Sequence, residues 1–379
     1  MYIDYKNRIF GLDAIRALAI LLVIGSHSTL LLFPDESSFS LTIVRFFGAI
    51  GVDLFFVLSG YLIGTIILMQ LKNKKTTFKH FIYFWIRRWF RTLPNYYLIL
   101  LLNILLFYAF HKVIIDNISH YFIFTQNFFS PHPNFFTEAW SLSIEEYAYI
   151  IGPLLLFLLM RCFKKTDSNT LFLKVTIGII VVVAFFRIYN HLTITCIQDY
   201  EWSNAVRKVV VFRIDSIYYG FLGAFLSINY SRLWRHYKRS SFYLGIVLFF
   251  GIHAFIYILK LNPNIPSLFF DVLYLPLVLI SLLLLFPIFI YWNKHQVFKK
   301  QITTISILSY ALYLINYSLV LLSIQYFIEV EDQSTIVKIL ILLLYWGVSF
   351  VLSYLLYRYF EKPIMNLRDS KFIRGNFLK

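Results

Sequence analysis

Eleven positions separate Arg16 from His27 in an otherwise largely apolar run, GLDAIRALAILLVIGSH. At 100° per residue that spacing is roughly three helical turns, so the two side chains share a face about 16 Å apart along the axis. Asp13 lies one turn below Arg16, within reach of an ion pair. A guanidinium and an imidazole on one stripe suit a site that engages a charged group at one level and moves a proton at another. The bland alternatives are a structural Asp13–Arg16 pair and a helix–helix hydrogen bond from His27.

Other apolar runs carry comparable groups. GVDLFFVLSGYLIG contains Asp53 and Ser59, with Gly60 and Gly64 at a spacing that lets another backbone come close. Asp53 is read as neutralising an intramembrane arginine rather than performing chemistry. RRWFR places Arg87, Arg88 and Arg91 within five residues; guanidinium geometry suits bidentate phosphate contacts, while anchoring by positive charge is the alternative. WSLSIEE brings Trp140, Ser141 and Glu145. Glu145 is placed at the depth of His27, where a carboxylate on the imidazole would fix its tautomer and raise its basicity. Glu146 is expected to face solvent or the interface. Arg213 and Asp215 share a further run; Asp215 needs a partner there, and Arg213 and Arg207 are the nearest in sequence. A structural charge network leads at that position. None of the nine histidines forms a ligand-spaced cluster with Cys or carboxylates, so no metal is expected.

The elements that carry these groups follow from composition. The chain has 379 residues, 59% hydrophobic and 14% charged, too little charge to cover a soluble surface of that size. Ten apolar runs, at 10–33, 43–71, 92–111, 141–160, 171–189, 208–229, 241–259, 269–292, 304–327 and 337–358, are each about long enough to cross a bilayer. Backbone groups must be satisfied inside lipid, which makes helices the form, and alternating strand-length segments are absent. The expectation is an all-α membrane protein, a bundle of about ten transmembrane helices forming a single domain, 1–379.

The connecting segments alternate in charge. Lys74, Lys75 and Lys79, then Arg161, Lys164 and Lys165, then Arg232 to Arg239, then Lys294, Lys299 and Lys300 fall on one side with the basic tail from Arg358. Asp35 and Glu36, the long loop 112–139, Asp199 and Glu201, and Glu329 to Asp332 fall on the other. Positive charge marks the cytoplasmic side, so both termini are expected there. The net charge of +16 is thereby a topology signal, and the short loops leave no room for a nucleic-acid groove. Cys162 and Cys196 fall on opposite sides, which argues against a disulfide. The first run, with Asp13 and Arg16 and no small-residue cleavage site, is expected to stay as a span.

Taken in order, these segments resemble the acyltransferase 3 family of membrane acyltransferases. GLDAIRALAILLVIGSH is similar to the first-helix signature, and IGVDLFFVLSGYLIG, RRWFRTLPNYY, AWSLSIEEYAY, FRIDSIYYGFLGA and RYFEKP resemble later elements. The resemblance implies a multi-pass protein of the bacterial inner membrane that takes acyl-CoA, usually acetyl-CoA, as donor substrate, with no permanently bound cofactor. It implies a carbohydrate or glycolipid acceptor within the membrane lipid environment. His27 is the implied catalytic residue with Arg16 as its partner, Arg88 and Arg91 the donor arginines, with Arg87 beside them, and Glu145 the glutamate of the Trp-Ser-Leu motif. The chain departs from the pattern at Asn316, where many members carry His, so any two-histidine relay is in doubt. It also ends soon after the tenth run, so the fused extracellular esterase-like domain of some members is expected to be missing.

The resulting expectation is acyl transfer inside the bundle, with phosphates held by the arginines and His27 acting as general base beside Glu145; transient acylation of His27 is a chemical alternative. The rival from another class is a proton-coupled transporter or flippase of a glycolipid or organic anion, which would also use intramembrane Asp, Arg and His. The absence of an internal repeat weighs against it.

Overall fold

A computed structural model describes residues 8–36, 38–113, 115–194, 200–292 and 296–368. Cys196, Asp199, Lys294 and the tail beyond 368 lie outside the described residues. The described chain is all helix and turn, and ten helices are long and apolar enough to cross a membrane. They are α1 (Phe10–Leu32), α2 (Phe39–Lys72), α3 (Phe78–His111), α4 (Ala139–Cys162), α5 (Ser168–Thr193), α6 (Val210–Asn229), α7 (Lys238–Ile258), α8 (Phe269–Ile290), α9 (Lys299–Phe327) and α10 (Thr335–Arg368).

Every apolar run has its helix, but three helices outrun their apolar cores. α2, α3 and α10 each have 34 residues, about 51 Å at the helical rise, against a hydrocarbon core of about 30 Å. An apolar-run reading stops where charges begin, whereas the helix continues through Lys and Arg, which are good helix formers. The consequence falls on RRWFR. It does not sit at the mouth of a span that begins at residue 92; it lies well inside α3, which starts at Phe78.

In lipid there is little hydrophobic drive between helices, so close backbone approach and polar pairs hold the bundle together. α2 and α6 meet backbone to backbone: a Cβ added to Gly60 would lie 1.9 Å from the carbonyl oxygen of Ile217, and one added to Gly220 would lie 2.2 Å from that of Val57. No side chain fits at either position. Buried ion pairs tie the same region together. Asp53 on α2 pairs with Arg213 on α6, the neutralising role expected of it. Asp215 does not pair with Arg213 or Arg207; its partner is Arg187 on α5, at 2.5 Å. Residues two apart on a helix point to different faces, so Arg213 and Asp215 turn to different neighbours. α7 buries least of itself and lies at the periphery, while α2, α6 and α9 bury most.

Wide, π-type turns interrupt three spans, at Phe269–Tyr274 in α8, Asn316–Leu321 in α9 and Tyr357–Glu361 in α10. Such turns hold an extra residue and re-aim side chains. The one in α9 lies against the imidazole of α1.

Candidate active site

A cavity of about 540 Å³ opens beside the α2–α3 turn and runs inward between α2, α3, α4 and α9. Lys75, His80, Arg87 and Arg368 line its mouth. Deeper, Arg91, Arg88 and Arg16 line it with Ser59 and Glu145, and its inner end is formed by Phe55, Ser141 and Tyr313. All three arginines of the RRWFR segment therefore face one space. So does Arg16, from the far side. Arg91 has no carboxylate within ion-pair distance among the described residues, and Arg87 lies over the ring of Tyr83 at 5.7 Å.

Arg88 is not free. It donates to Glu145 Oε2 at 2.9 Å and to the hydroxyl of Tyr149 at 3.0 Å, and its guanidinium lies 4.2 Å from the Tyr149 ring centre. Tyr149 also donates to Glu145 Oε2 at 2.9 Å, and Ser59 donates to Oε1 at 3.1 Å. Glu145 is thus saturated by α2, α3 and its own helix. The sequence-based placement of Glu145 on His27 is corrected: with α3 starting at Phe78, Arg88 reaches the depth of Glu145 and claims it. Glu146, expected at solvent or the interface, is buried and accepts from Thr92 at 3.0 Å.

Asp13 and Arg16 do pair, at 3.5 Å, but the closer partner of Asp13 is Arg8, at 2.5 Å. Ser306 on α9 donates to Asp13 at 2.7 Å and accepts from Arg16 at 3.2 Å. Ten residues further along α9, Asn316 meets His27: its Oδ1 lies 2.5 Å from the imidazole Nδ1. The Arg16–His27 stripe of α1 therefore faces a single helix, as the three-turn spacing requires.

Asn316 orients the imidazole. Its Nδ2 donates to the carbonyls of Leu312 at 2.6 Å and Tyr313 at 3.0 Å, which fixes the amide with Oδ1 toward His27. An amide oxygen can only accept, so Nδ1 of His27 must carry the proton and Nε2 the lone pair. The hydroxyl of Tyr345 donates to the same oxygen at 3.2 Å, and the ring of Tyr317 packs 4.8 Å from the imidazole. The residue that breaks the family pattern in sequence is the one that holds His27.

His27 does not line the cavity. Asn316 is one turn past Tyr313, whose hydroxyl meets Ser141 at 2.7 Å and the Glu138 carbonyl at 3.2 Å. The cavity thus ends at Tyr313 and Ser141, with the imidazole beyond it. Trp140 packs edge-on against Phe56 and lies under the guanidinium of Arg207 at 4.9 Å. Asp53, Arg213 and Asp215 stay in the structural network described above.

Sequence reasoning passed over Tyr149, Tyr313, Ser306 and Glu138, because a tyrosine or serine in an aromatic-rich membrane chain carries no periodic signal. Lys75 and Arg368 were legible only as part of a positive-side charge pattern, and His80 was passed over.

The chain matches the acyltransferase domain family over residues 9–358. Peptidoglycan O-acetyltransferase OatA of Listeria monocytogenes is 34% identical over 185 residues, 45% of this chain and 27% of that protein. O-acetyltransferase OatA of Staphylococcus aureus is 24% identical over 394 residues, 93% of this chain and 57% of that protein. The chain thus spans between a quarter and just over half of the length of these curated relatives. No solved structure matches it. With ten membrane-length helices and a family match that runs from before the Arg16–His27 stripe to the last wide turn, this chain is a multi-pass membrane protein of the acyltransferase 3 family.

Proposed function

We propose that the protein transfers an acetyl group from acetyl-CoA to a hydroxyl of a cell-envelope carbohydrate. The observation that carries the reading is the imidazole of His27, oriented by Asn316 with Nε2 unprotonated, one turn beyond the inner end of a cavity with a cationic mouth. The names of the relatives supply the acetyl group and the class of acceptor.

In this reading Lys75, His80, Arg87 and Arg368 at the mouth, with Arg91 deeper, receive the phosphates of CoA, a role that the sequence alone gives to Arg88 and Arg91 with Arg87. Arg88 serves instead as a fixed wall of the cavity, held by Glu145. The pantetheine arm extends inward past Arg16, and the thioester reaches His27 past Tyr313. Nε2 takes the proton of the acceptor hydroxyl as its oxygen attacks the thioester carbonyl; the C–S bond breaks, and the imidazolium returns the proton to the departing thiolate. One ester forms and one thiol leaves.

A positioned base contributes about 10²–10⁴-fold in rate. His27→Ala in proteoliposomes should therefore lower release of CoA by at least 10²-fold in the presence of an acceptor glycan, with the protein still extracted as a folded species. Acetyl transfer at the wild-type rate by that variant would overturn the assignment. Movement of the glycan across the vesicle without any CoA release would point to a carrier instead.

A further inference from the structure

Glu138 closes the long connecting segment 112–138, yet it is buried, at 4% exposure. Its carboxyl group accepts from the backbone N–H of Ser318 at 3.2 Å and from the hydroxyl of the same residue. Its carbonyl oxygen accepts from the hydroxyls of Tyr313 and Ser141, both at 3.2 Å. No Lys or Arg lies within ion-pair distance of it among the described residues. Burial pushes its carboxyl up to about 7. A carboxyl group placed so deep without a cation is costly unless its hydrogen bonds are worth keeping.

Those bonds bracket one residue. Tyr313 and Ser318 stand either side of Asn316, and Ser318 belongs to the wide turn Asn316–Leu321. Glu138 therefore holds α9 on both flanks of the amide that orients His27, by its main-chain carbonyl at Tyr313 and by its carboxyl at Ser318 in the turn. A wide turn in a membrane helix is an irregular backbone that neighbours must hold in place.

We propose that Glu138 is a positioning residue, which clamps residues 313–318 of α9, where the helix enters its wide turn, so that Asn316 Oδ1 stays aimed at His27 Nδ1. The inference rests on the reading of His27 as the base. It assigns a role to a residue that neither holds the donor nor moves a proton.

The test uses the full chain in proteoliposomes with acetyl-CoA and an acceptor glycan, comparing Glu138→Ala, Glu138→Gln, Asn316→Ala and the Glu138→Ala/Asn316→Ala pair. Glu138→Ala should lower kcat at least tenfold while KM for acetyl-CoA stays within twofold. Gln keeps an accepting oxygen for Ser318 and should recover most of the loss. The double variant should be no slower than the slower single one, because both changes release the same imidazole. Full activity in Glu138→Ala, a Gln variant as slow as the Ala one, or losses that multiply would each overturn the proposal. Hydrogen exchange at residues 316–321 gives a readout free of catalysis: Glu138→Ala should exchange faster there, and unchanged protection would also count against the clamp. A wild-type protein that releases no CoA would sink the acetyl-transfer reading, while the exchange measurement still decides the clamp.

Discussion

Arg88 and Glu145 show how far a residue's role depends on what reaches it first. Both side chains are 15% exposed, and the pair is completed by Tyr149 and Ser59. Removing one partner of such a pair leaves a charge without compensation in a low-dielectric site, whereas removing both does not. Glu145→Ala should therefore destabilise the protein by a few kcal/mol, of order 3, and raise KM for acetyl-CoA, because Arg88 loses its place in the cavity wall. The Arg88→Ala/Glu145→Ala pair should be more stable than Glu145→Ala alone, measured as thermal loss of the monodisperse species in detergent. Additive losses would mean the two side chains act separately. At this scale the sequence marks the intramembrane polar residues, since each charge stands out against an apolar background. It could not show partners. Glu145 was assigned to His27 on depth alone, and depth was misjudged because α3 begins fourteen residues before its apolar run. Asn316 was visible only as a departure from a pattern, and its amide orientation is fixed by carbonyls of its own helix, which no spacing rule displays.

Between residues and bundle lie the irregular elements. Spans were legible because length and hydropathy alone define them; the wide turns in α8, α9 and α10 were not, since one extra residue per turn leaves the apolar pattern intact. The connecting segment 112–138 is the other such element. His132 sits within it, 7% exposed, with Nδ1 donating to the Pro133 carbonyl at 2.7 Å and its ring edge-on to Tyr121. Burial lowers this imidazole from about 6.5 to about 4. The sign follows from linkage. Between those values the open segment binds a proton that the packed one does not, so packing is favoured fully above about 6.5 and loses ground as pH falls toward 4. The difference amounts to about 3 kcal/mol at most. Hydrogen-exchange protection of residues 115–138, corrected for the intrinsic pH dependence of exchange, should fall between pH 7 and pH 4.5. His132→Gln, which cannot take up the proton, should flatten that dependence. Equal slopes in the two proteins would place the titrating group elsewhere.

For the molecule as a whole, charge and cavity give the bundle two unlike ends. The cavity mouth lies at the end that carries the α2–α3 turn, with Lys75, His80, Arg87 and Arg368 around it. His27 lies 17 residues into the 23-residue α1 that starts from that end, roughly 26 Å along the helix, and so in the half nearer the opposite face. Positive charge on short loops favours the cytoplasmic side, so the mouth should face the cytoplasm, the side from which the proposed donor would enter. An acceptor that reaches His27 from the other half would then be acetylated without the donor ever crossing. This division predicts a sidedness of donor use that a carrier does not share. Lys75→Cys should react with a membrane-impermeant maleimide only in inverted vesicles, and acetyl-CoA supplied outside such vesicles should protect that cysteine. In the same vesicles external acetyl-CoA should be consumed, whereas right-side-out vesicles given external acetyl-CoA should release no CoA. Reaction of Lys75→Cys on the outer face of intact cells would reverse the bundle and with it the route of the donor. Consumption of acetyl-CoA from both faces would show instead that Tyr313 and Ser141 do not separate the cavity from the acceptor's half, and that the imidazole is open to either side.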